Sequence, residues 1–163
     1  MQIRPYQASD AKVVLSWCQE ERAFYQWTAG ILGAFPLTEA AFAFVETLMP
    51  FTAVDEEGPV GFFTLRRPGQ AADELRFGFV IVAPDRRGQG IGKTMLQQGM
   101  QLAFGQYGVS RVSLGVFENN SSAYYCYRAA GFEDVTAGVP ESYQVLGEEW
   151  LCRELQAVKR TQG

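Results

Sequence analysis

The sequence predicts a single α/β domain spanning residues 1–163, and three observations carry that prediction. Strand-period and helix-period apolar patterns alternate along the whole chain. The β-rich run Phe77-Gly78-Phe79-Val80-Ile81-Val82 feeds the glycine-dense turn Arg86-Arg87-Gly88-Gln89-Gly90-Ile91-Gly92-Lys93, and an amphipathic stretch through Met95, Leu96, Met100, Leu102, Ala103 and Phe104 follows. With 163 residues, 47% hydrophobic and 20% charged, the chain can bury a full core and is too apolar for disorder.

The elements follow in order. Gln2 to Tyr6 reads as a first strand, and Ser9-Asp10 as the cap of a helix carrying Val13, Val14, Trp17 and Cys18. Arg22 to Pro36 is dense in rings and partly irregular, with glycines at 30 and 33. Thr38 is placed to cap a second helix through Ala41, Phe42, Phe44, Val45 and Leu48, stopped by Pro50. Phe51–Val54 and Val60–Arg66 form a hairpin across Asp55–Pro59, and a turn begins at Pro68-Gly69-Gln70. Glu74 to Val82 is the central strand, and the helix after the loop runs to about Tyr107. Arg111–Val116 is a strand, and Asn120–Ala130 a helix ended by Gly131. Phe132–Val135, Tyr143–Leu146 and Glu149–Leu155 are later strands, before a frayed tail from Lys159.

Composition excludes several functions. The net charge of −4, without a basic run, argues against nucleic acid as a partner. The absence of histidine rules out His-dependent triads and His-ligated zinc, and no metal is expected. Cys18, Cys126 and Cys152 lack metal-ligand spacing and read as reduced thiols. No run reaches the length of a membrane span, and Met1-Gln2-Ile3-Arg4-Pro5 lacks the apolar core of a signal peptide. A cytoplasmic protein without a membrane partner is expected; monomer and homodimer both remain open.

The turn from Arg87 to Lys93 has the chemistry of an anion cradle. A strand, a glycine loop and a helix N-terminus aim backbone N–H groups at a phosphate, and Arg87 and Lys93 add positive charge. The Walker A pattern almost fits Gly92-Lys93-Thr94 but needs a glycine at Arg87, and the dinucleotide fingerprint fails at Lys93 or Met95. The pattern R-x-x-G-x-G does fit, as Arg87, Gly90 and Gly92. A second pattern, N-x-x-A-x-x-x-Y-x-x-x-G-F, runs from Asn120 through Ala123, Tyr127 and Gly131 to Phe132.

Both patterns, in this order, resemble those of the GNAT superfamily of acyl-CoA N-acyltransferases. The opening Ile3-Arg4-Pro5 with Asp10 and Trp17 is similar to the branch containing ribosomal-protein N-acetyltransferases. The resemblance implies a mixed central sheet of about six to seven strands, flanked by about four helices and with a splayed central strand pair. It implies acetyl-CoA as cosubstrate and direct transfer to a primary amine of a small molecule or a peptide N-terminus. Arg87, Gly88, Gln89, Gly90, Ile91, Gly92 and Lys93 would bind the pyrophosphate, with Gly90 and Gly92 in a surface turn. Asn120 and Tyr127 would meet the pantetheine arm, and a backbone N–H near Val82 would polarise the carbonyl. The aromatics Phe24, Tyr25 and Trp27 would wall the acceptor site, with core packing the equal alternative.

The acid and base follow from the same resemblance. Tyr127 would protonate the departing thiolate, against the alternative of a packed aromatic with a satisfied hydroxyl. Some members carry a Glu where this chain has Gly115, which removes that base. The family's histone acetyltransferases place a Glu thirteen residues before the loop arginine, which here is Glu74. A strand-end surface carboxylate is its even alternative, and Glu118 is the weaker candidate base. Cys126 faces away from Tyr127 on its helix and lacks an activating His, so a buried thiol is expected there. A non-catalytic acyl-CoA sensor and a P-loop nucleotide-binding protein are the competing readings.

Overall fold

Alternating apolar residues that face opposite ways in each strand, with helices on both sides, dictate a layered sheet. The computed structural model describes residues 1–44, 47–69 and 73–160. Strands β1 (Gln2–Pro5), β2 (Met49–Asp55), β3 (Gly58–Arg66), β4 (Glu74–Val82), β5 (Arg111–Phe117), β6 (Glu133–Asp134), β7 (Glu141–Val145) and β8 (Glu148–Val158) share one sheet. Its order is β1-β2-β3-β4-β5-β8-β6, with β7 also on β8, and every pair is antiparallel except β4 with β5. The helices are α1 (Ala11–Ser16), α2 (Glu21–Thr28), α3 (Ile91–Gly105) and α4 (Ser121–Ala130). Among the described residues no helix is long and apolar enough to cross a membrane.

One face of the sheet packs on α3 and α4 through Leu75, Phe77, Val112, Leu114, Met95, Leu96 and Phe132. The other face, with Phe62 and Ile81, packs on α1 and the ring of Phe42. The period-two exchange along β3 is plain: Phe63 and Leu65 go to the first cluster, Phe62 to the second.

Three expectations are corrected. Among the described residues the sheet has eight strands where about six to seven are implied, because the chain after α4 adds to β8 in two separate short pieces. The helix expected from Thr38 forms a single turn, in which Phe42 N–H donates to Thr38 O at 3.1 Å and Ala41 N–H to Thr38 Oγ1 at 3.2 Å. Beyond it, Phe42 and Phe44 both lie against Tyr6 and Phe62, a period-two contact that a helix cannot make. Val45, Gln70 and the end of the tail from residue 161 lie outside the described residues. Finally, Asp10 does not cap α1 with its side chain. It accepts hydrogen bonds from Arg4 Nη1 at 2.8 Å and Nη2 at 2.9 Å, from Gln7 N–H at 2.9 Å and from Thr52 Oγ1 at 2.9 Å.

Asp10 thereby clamps the first strand and first helix onto β2, and it is 4% exposed. Hydrogen bonds from Arg4 chiefly hold its carboxyl below the usual carboxylate range. A folded-state value below the unfolded one stabilises the protein above the unfolded pKa of about 4, and the contribution fades as pH falls toward the folded value. Asp10→Ala should cost about 3 kcal/mol at pH 7, since Arg4 and Thr52 lose their partner. Denaturant titrations should show the gap from wild type constant above about pH 5 and narrowing below pH 4.

Candidate active site

The loop after β4 begins with a 3-10 turn, Pro84–Arg86, and reaches α3 through two glycines in the left-handed region. Gly88 and Gly90 both have φ 78°, where an L side chain is strained, and a Cβ at either would meet no atom within 4 Å. The first helical hydrogen bond runs from Thr94 N–H to Gly90 O. The N–H groups from Gly88 to Lys93 therefore stand in series without an acceptor among the described residues. Arg86 is committed to the hairpin, 2.6 Å from Asp55 and 3.7 Å from Glu57. Arg87 and Lys93 are exposed, and neither has a carboxylate partner among the described residues. Free donors, two cations and a helix dipole make this turn fit a pyrophosphate.

Gly92 differs from its neighbours and corrects the surface-turn expectation. A Cβ there would lie 3.0 Å from Cys126 Sγ and 3.4 Å from Val82 Cγ2, so this glycine lets α3 approach α4 and β4. Cys126 is thus packed, and burial raises its thiol. Cys18, just past α1, is pushed up to about 11 by burial, with Arg87 pulling the other way.

The loop leads back to an opening in the sheet. β4 and β5 pair only at Glu74 with Arg111, Leu75 with Val112 and Arg76 with Ser113; beyond Arg76 they part. On its other edge β4 slips against β3: Gly78 faces Thr64, but Ile81 faces Phe62. The extra residue is accommodated at Phe79, whose φ of 50° is left-handed, giving a β-bulge. Trp27 Nε1, from α2, donates to Phe79 O at 2.8 Å and holds the bulge in place. After the bulge Ala83 N–H turns to Val60 O on β3. Alternation then sends the Val82 N–H to the other edge, the one β5 has left.

α4 carries Tyr127 into the cluster on the α3–α4 side of the sheet, where it is 9% exposed. Burial pushes its phenol well above the ordinary value, and its hydroxyl has no partner among the described residues. Asn120 begins the helix without a side-chain capping bond, and its amide has no hydrogen-bond partner among the described residues. Tyr124, on the same helix, is taken up by Asp134 at 3.0 Å.

Glu74 lies elsewhere. It sits at the end of β4 still paired with β5, accepting from Arg111 Nε at 2.8 Å and Ser113 Oγ at 2.7 Å. The bulge is five residues on, about 16 Å at strand rise. Gly115 leaves room for Arg76, whose Nη2 would be 3.0 Å from a Cβ there and which grips Glu154 at 2.7 and 2.9 Å. Glu118 is exposed next to the opening of α4. Of the three aromatics, Phe24 is 2% exposed in a cluster with Tyr25, Trp27 and Phe35 and offers no surface to a ligand. Tyr25 and Trp27 are half-buried, and the Tyr25 hydroxyl accepts from Phe35 N–H at 3.3 Å. The bulge and the Arg76–Glu154 pair were missed; Gly78, alone inside an apolar strand, was the available signal for the bulge.

A model of the acetyltransferase (GNAT) family matches residues 14–132. The chain belongs to this family. It is 30% identical over 123 residues to the peptidyl-lysine N-acetyltransferase YjaB of Salmonella typhimurium, covering 75% of each chain. Among solved structures it is similar to the spermidine N-acetyltransferase of Vibrio cholerae in complex with CoA and spermine. That match has a TM-score of 0.79 at 15% identity, over 96% of this chain and 94% of the other. A putative phosphinothricin N-acetyltransferase matches with a TM-score of 0.75 at 16% identity, over 98% and 99%. The GNAT fold is therefore the fold of this chain, which is an N-acetyltransferase of a family that uses acetyl-CoA.

Trp27→Phe keeps a ring in the cluster and removes the donor to Phe79. The orphaned carbonyl should cost about 1–3 kcal/mol, read as a fall in Tm of several degrees. Acetyl-transfer rate should fall with it, because the bulge then has no fixed position.

Proposed function

We propose that this GNAT enzyme transfers the acetyl group of acetyl-CoA directly to a primary amine, of a small molecule or a peptide N-terminus, in a ternary complex. What supports this reading is the unpaired N–H series at Gly88–Lys93 directly after β4, whose edge is open beyond Arg76, with Tyr127 among the residues packed on the α3–α4 side of the sheet. Arg87 and Lys93 supply charge to the diphosphate, and the β4 edge beyond Arg76 supplies unpaired backbone to the amide-bearing pantetheine arm. Asn120 supplies an amide to the same arm. The Val82 N–H is aimed where a thioester oxygen gains negative charge.

In the transfer the amine nitrogen forms the N–C bond, the C–S bond breaks, and one proton leaves the nitrogen while one reaches the thiolate. A thiolate of ordinary basicity, with a pKa of about 8.5, cannot strip a buried phenol whose pKa is raised. Tyr127 therefore acts by hydrogen bonding to the developing charge on sulfur, and the proton is completed from solvent. An amine of pKa about 10.4 arrives charged and needs a base. Glu74 has both oxygens engaged at the closed end of the strand pair, so water, with Glu118 nearby, is the better candidate. The three unpaired cysteines suit a reducing compartment, and we assign the enzyme to the cytoplasm.

Three experiments test this. Gly90→Val should abolish acetyl-CoA binding in calorimetry and lower Tm through the strain of a β-branched residue at φ 78°, whereas Gly92→Val should lower Tm through the contact with Cys126. Unchanged affinity in Gly90→Val would overturn the cradle. Tyr127→Phe should lower kcat about 100-fold with little change in KM for acetyl-CoA. Glu74→Gln should weaken the β4–β5 contact and lower Tm while leaving the pH–rate profile in place; a lost basic limb would restore Glu74 as the base.

A further inference from the structure

α2 meets two different parts of the sheet with its two sides. Residues three and four apart share one side of a helix, so Arg22, Tyr25, Gln26 and Ala29 look one way and Phe24 and Trp27 another. On the first side Arg22 Nη1 donates to Glu148 Oε1 at 2.8 Å, and its guanidinium lies 5.0 Å over the Trp150 ring. Tyr25 and Ala29 pack against the cluster of Phe117 and Trp150. Gln26 Nε2 donates to Asn119 O at 3.2 Å and to Asn119 Oδ1 at 3.1 Å. On the second side Trp27 Nε1 donates to Phe79 O at 2.8 Å.

The helix therefore straddles the place where β4 and β5 have parted. Phe79 lies beyond Arg76, where the pairing of the two strands ends, and Asn119 lies just beyond Phe117, the last residue of β5. Two consecutive helix residues, Gln26 and Trp27, tie the two lips of the opening. α2 supplies from outside the hydrogen bonds that the strands no longer give each other.

The tie on the β5 lip acts on one peptide unit. Asn120 N–H donates to Phe117 O at 2.9 Å, and the carbonyl joined to that N–H, Asn119 O, accepts from Gln26. Because a peptide unit is planar, bonds at its two ends fix its rotation. Asn120 itself is not helical (φ −110°, ψ 66°), so this plane, and not the α4 ladder, sets the direction of its side chain. That side-chain amide has no hydrogen-bond partner among the described residues.

Resting on the N-acetyltransferase reading, we propose that Gln26 is a positioning residue of this enzyme: it holds the carbonyl end of the Asn119–Asn120 peptide and so aims the Asn120 amide at the pantetheine arm. Without the Gln26 donor the peptide is pinned at one end only and the amide loses its aim. The effect falls on the arm and spares the diphosphate, whose N–H cradle belongs to a different loop.

The test measures, for the full chain, the affinity of two ligands by calorimetry. Acetyl-CoA carries the arm; 3′-phosphoadenosine 5′-diphosphate carries the same phosphates without it. Gln26→Met keeps the length of the side chain and removes the donor. It should raise the acetyl-CoA Kd about fivefold, leave the Kd of the arm-less nucleotide within about twofold and keep Tm within a few degrees of wild type. Asn119→Ala, which retains the backbone carbonyl, should bind acetyl-CoA within about twofold of wild type. A Gln26→Met protein with wild-type acetyl-CoA affinity overturns the positioning role while the transferase reading stands. Equal weakening of both ligands overturns it also, since the change would then be a general distortion and not a loss of aim. Wild-type protein that binds the arm-less nucleotide as tightly as acetyl-CoA, and acetylates no amine, overturns the transferase reading and the positioning role with it.

Discussion

The site depends on how β4 is held. A strand paired along both edges would have no free backbone to offer, and β4 is released on one edge after three paired residues and displaced on the other by the bulge at Phe79. An aromatic residue at φ 50° is strained by about 1–3 kcal/mol and persists only when its surroundings fix it. Trp27 provides that fixation, with its indole N–H on the Phe79 carbonyl and its ring packed on Phe24 and Phe42. The ring-dense segment reads from sequence equally as substrate wall or core, and Phe24 and Trp27 pack as core behind the bulge.

Charge is distributed accordingly. The acidic side chains near the sheet centre are consumed in cross-strand pairs, Glu74 with Arg111 and Glu154 with Arg76, and these fasten β4, β5 and β8 where the strands are still close. At the other end of β4 the cations Arg87 and Lys93 are left without carboxylates among the described residues. A chain of net charge −4 thus presents a positive end to a diphosphate while tying its carboxylates down elsewhere.

Much of this was legible in the sequence because local rules decide it. β4 has the bounds that its apolar run implies, and the glycine loop and α4 fall where capping and spacing place them. Gly131 ends α4 in the left-handed region, as a C-terminal glycine should. What local rules leave open depends on tertiary contact. The helix proposed from Thr38 has helical spacing on paper, but Phe42 and Phe44 find a better environment together against Tyr6 and Phe62. Distance along the chain marks Glu74 as one candidate base but cannot reveal that Arg111 and Ser113 hold both its oxygens. Gly92 was grouped with Gly88 and Gly90 by pattern, although only those two have positive φ and its own constraint is Cys126.

The departures from ordinary folding rules gather on one stretch. A left-handed Phe79, the orphan Thr64 hydroxyl, the unpaired edge after Arg76 and the unsatisfied N–H groups from Gly88 to Lys93 all belong to β4, its neighbour or its loop. Elsewhere the sheet carries one further register shift, between Ala53 and Val54, and a left-handed Leu146 in the turn before β8. Strain and unmet hydrogen bonding persist in a fold where function requires them, because random destabilisation would be spread over the chain. These features adjoin the same loop and opening that the two sequence patterns mark, and so support the site proposed there independently of any motif.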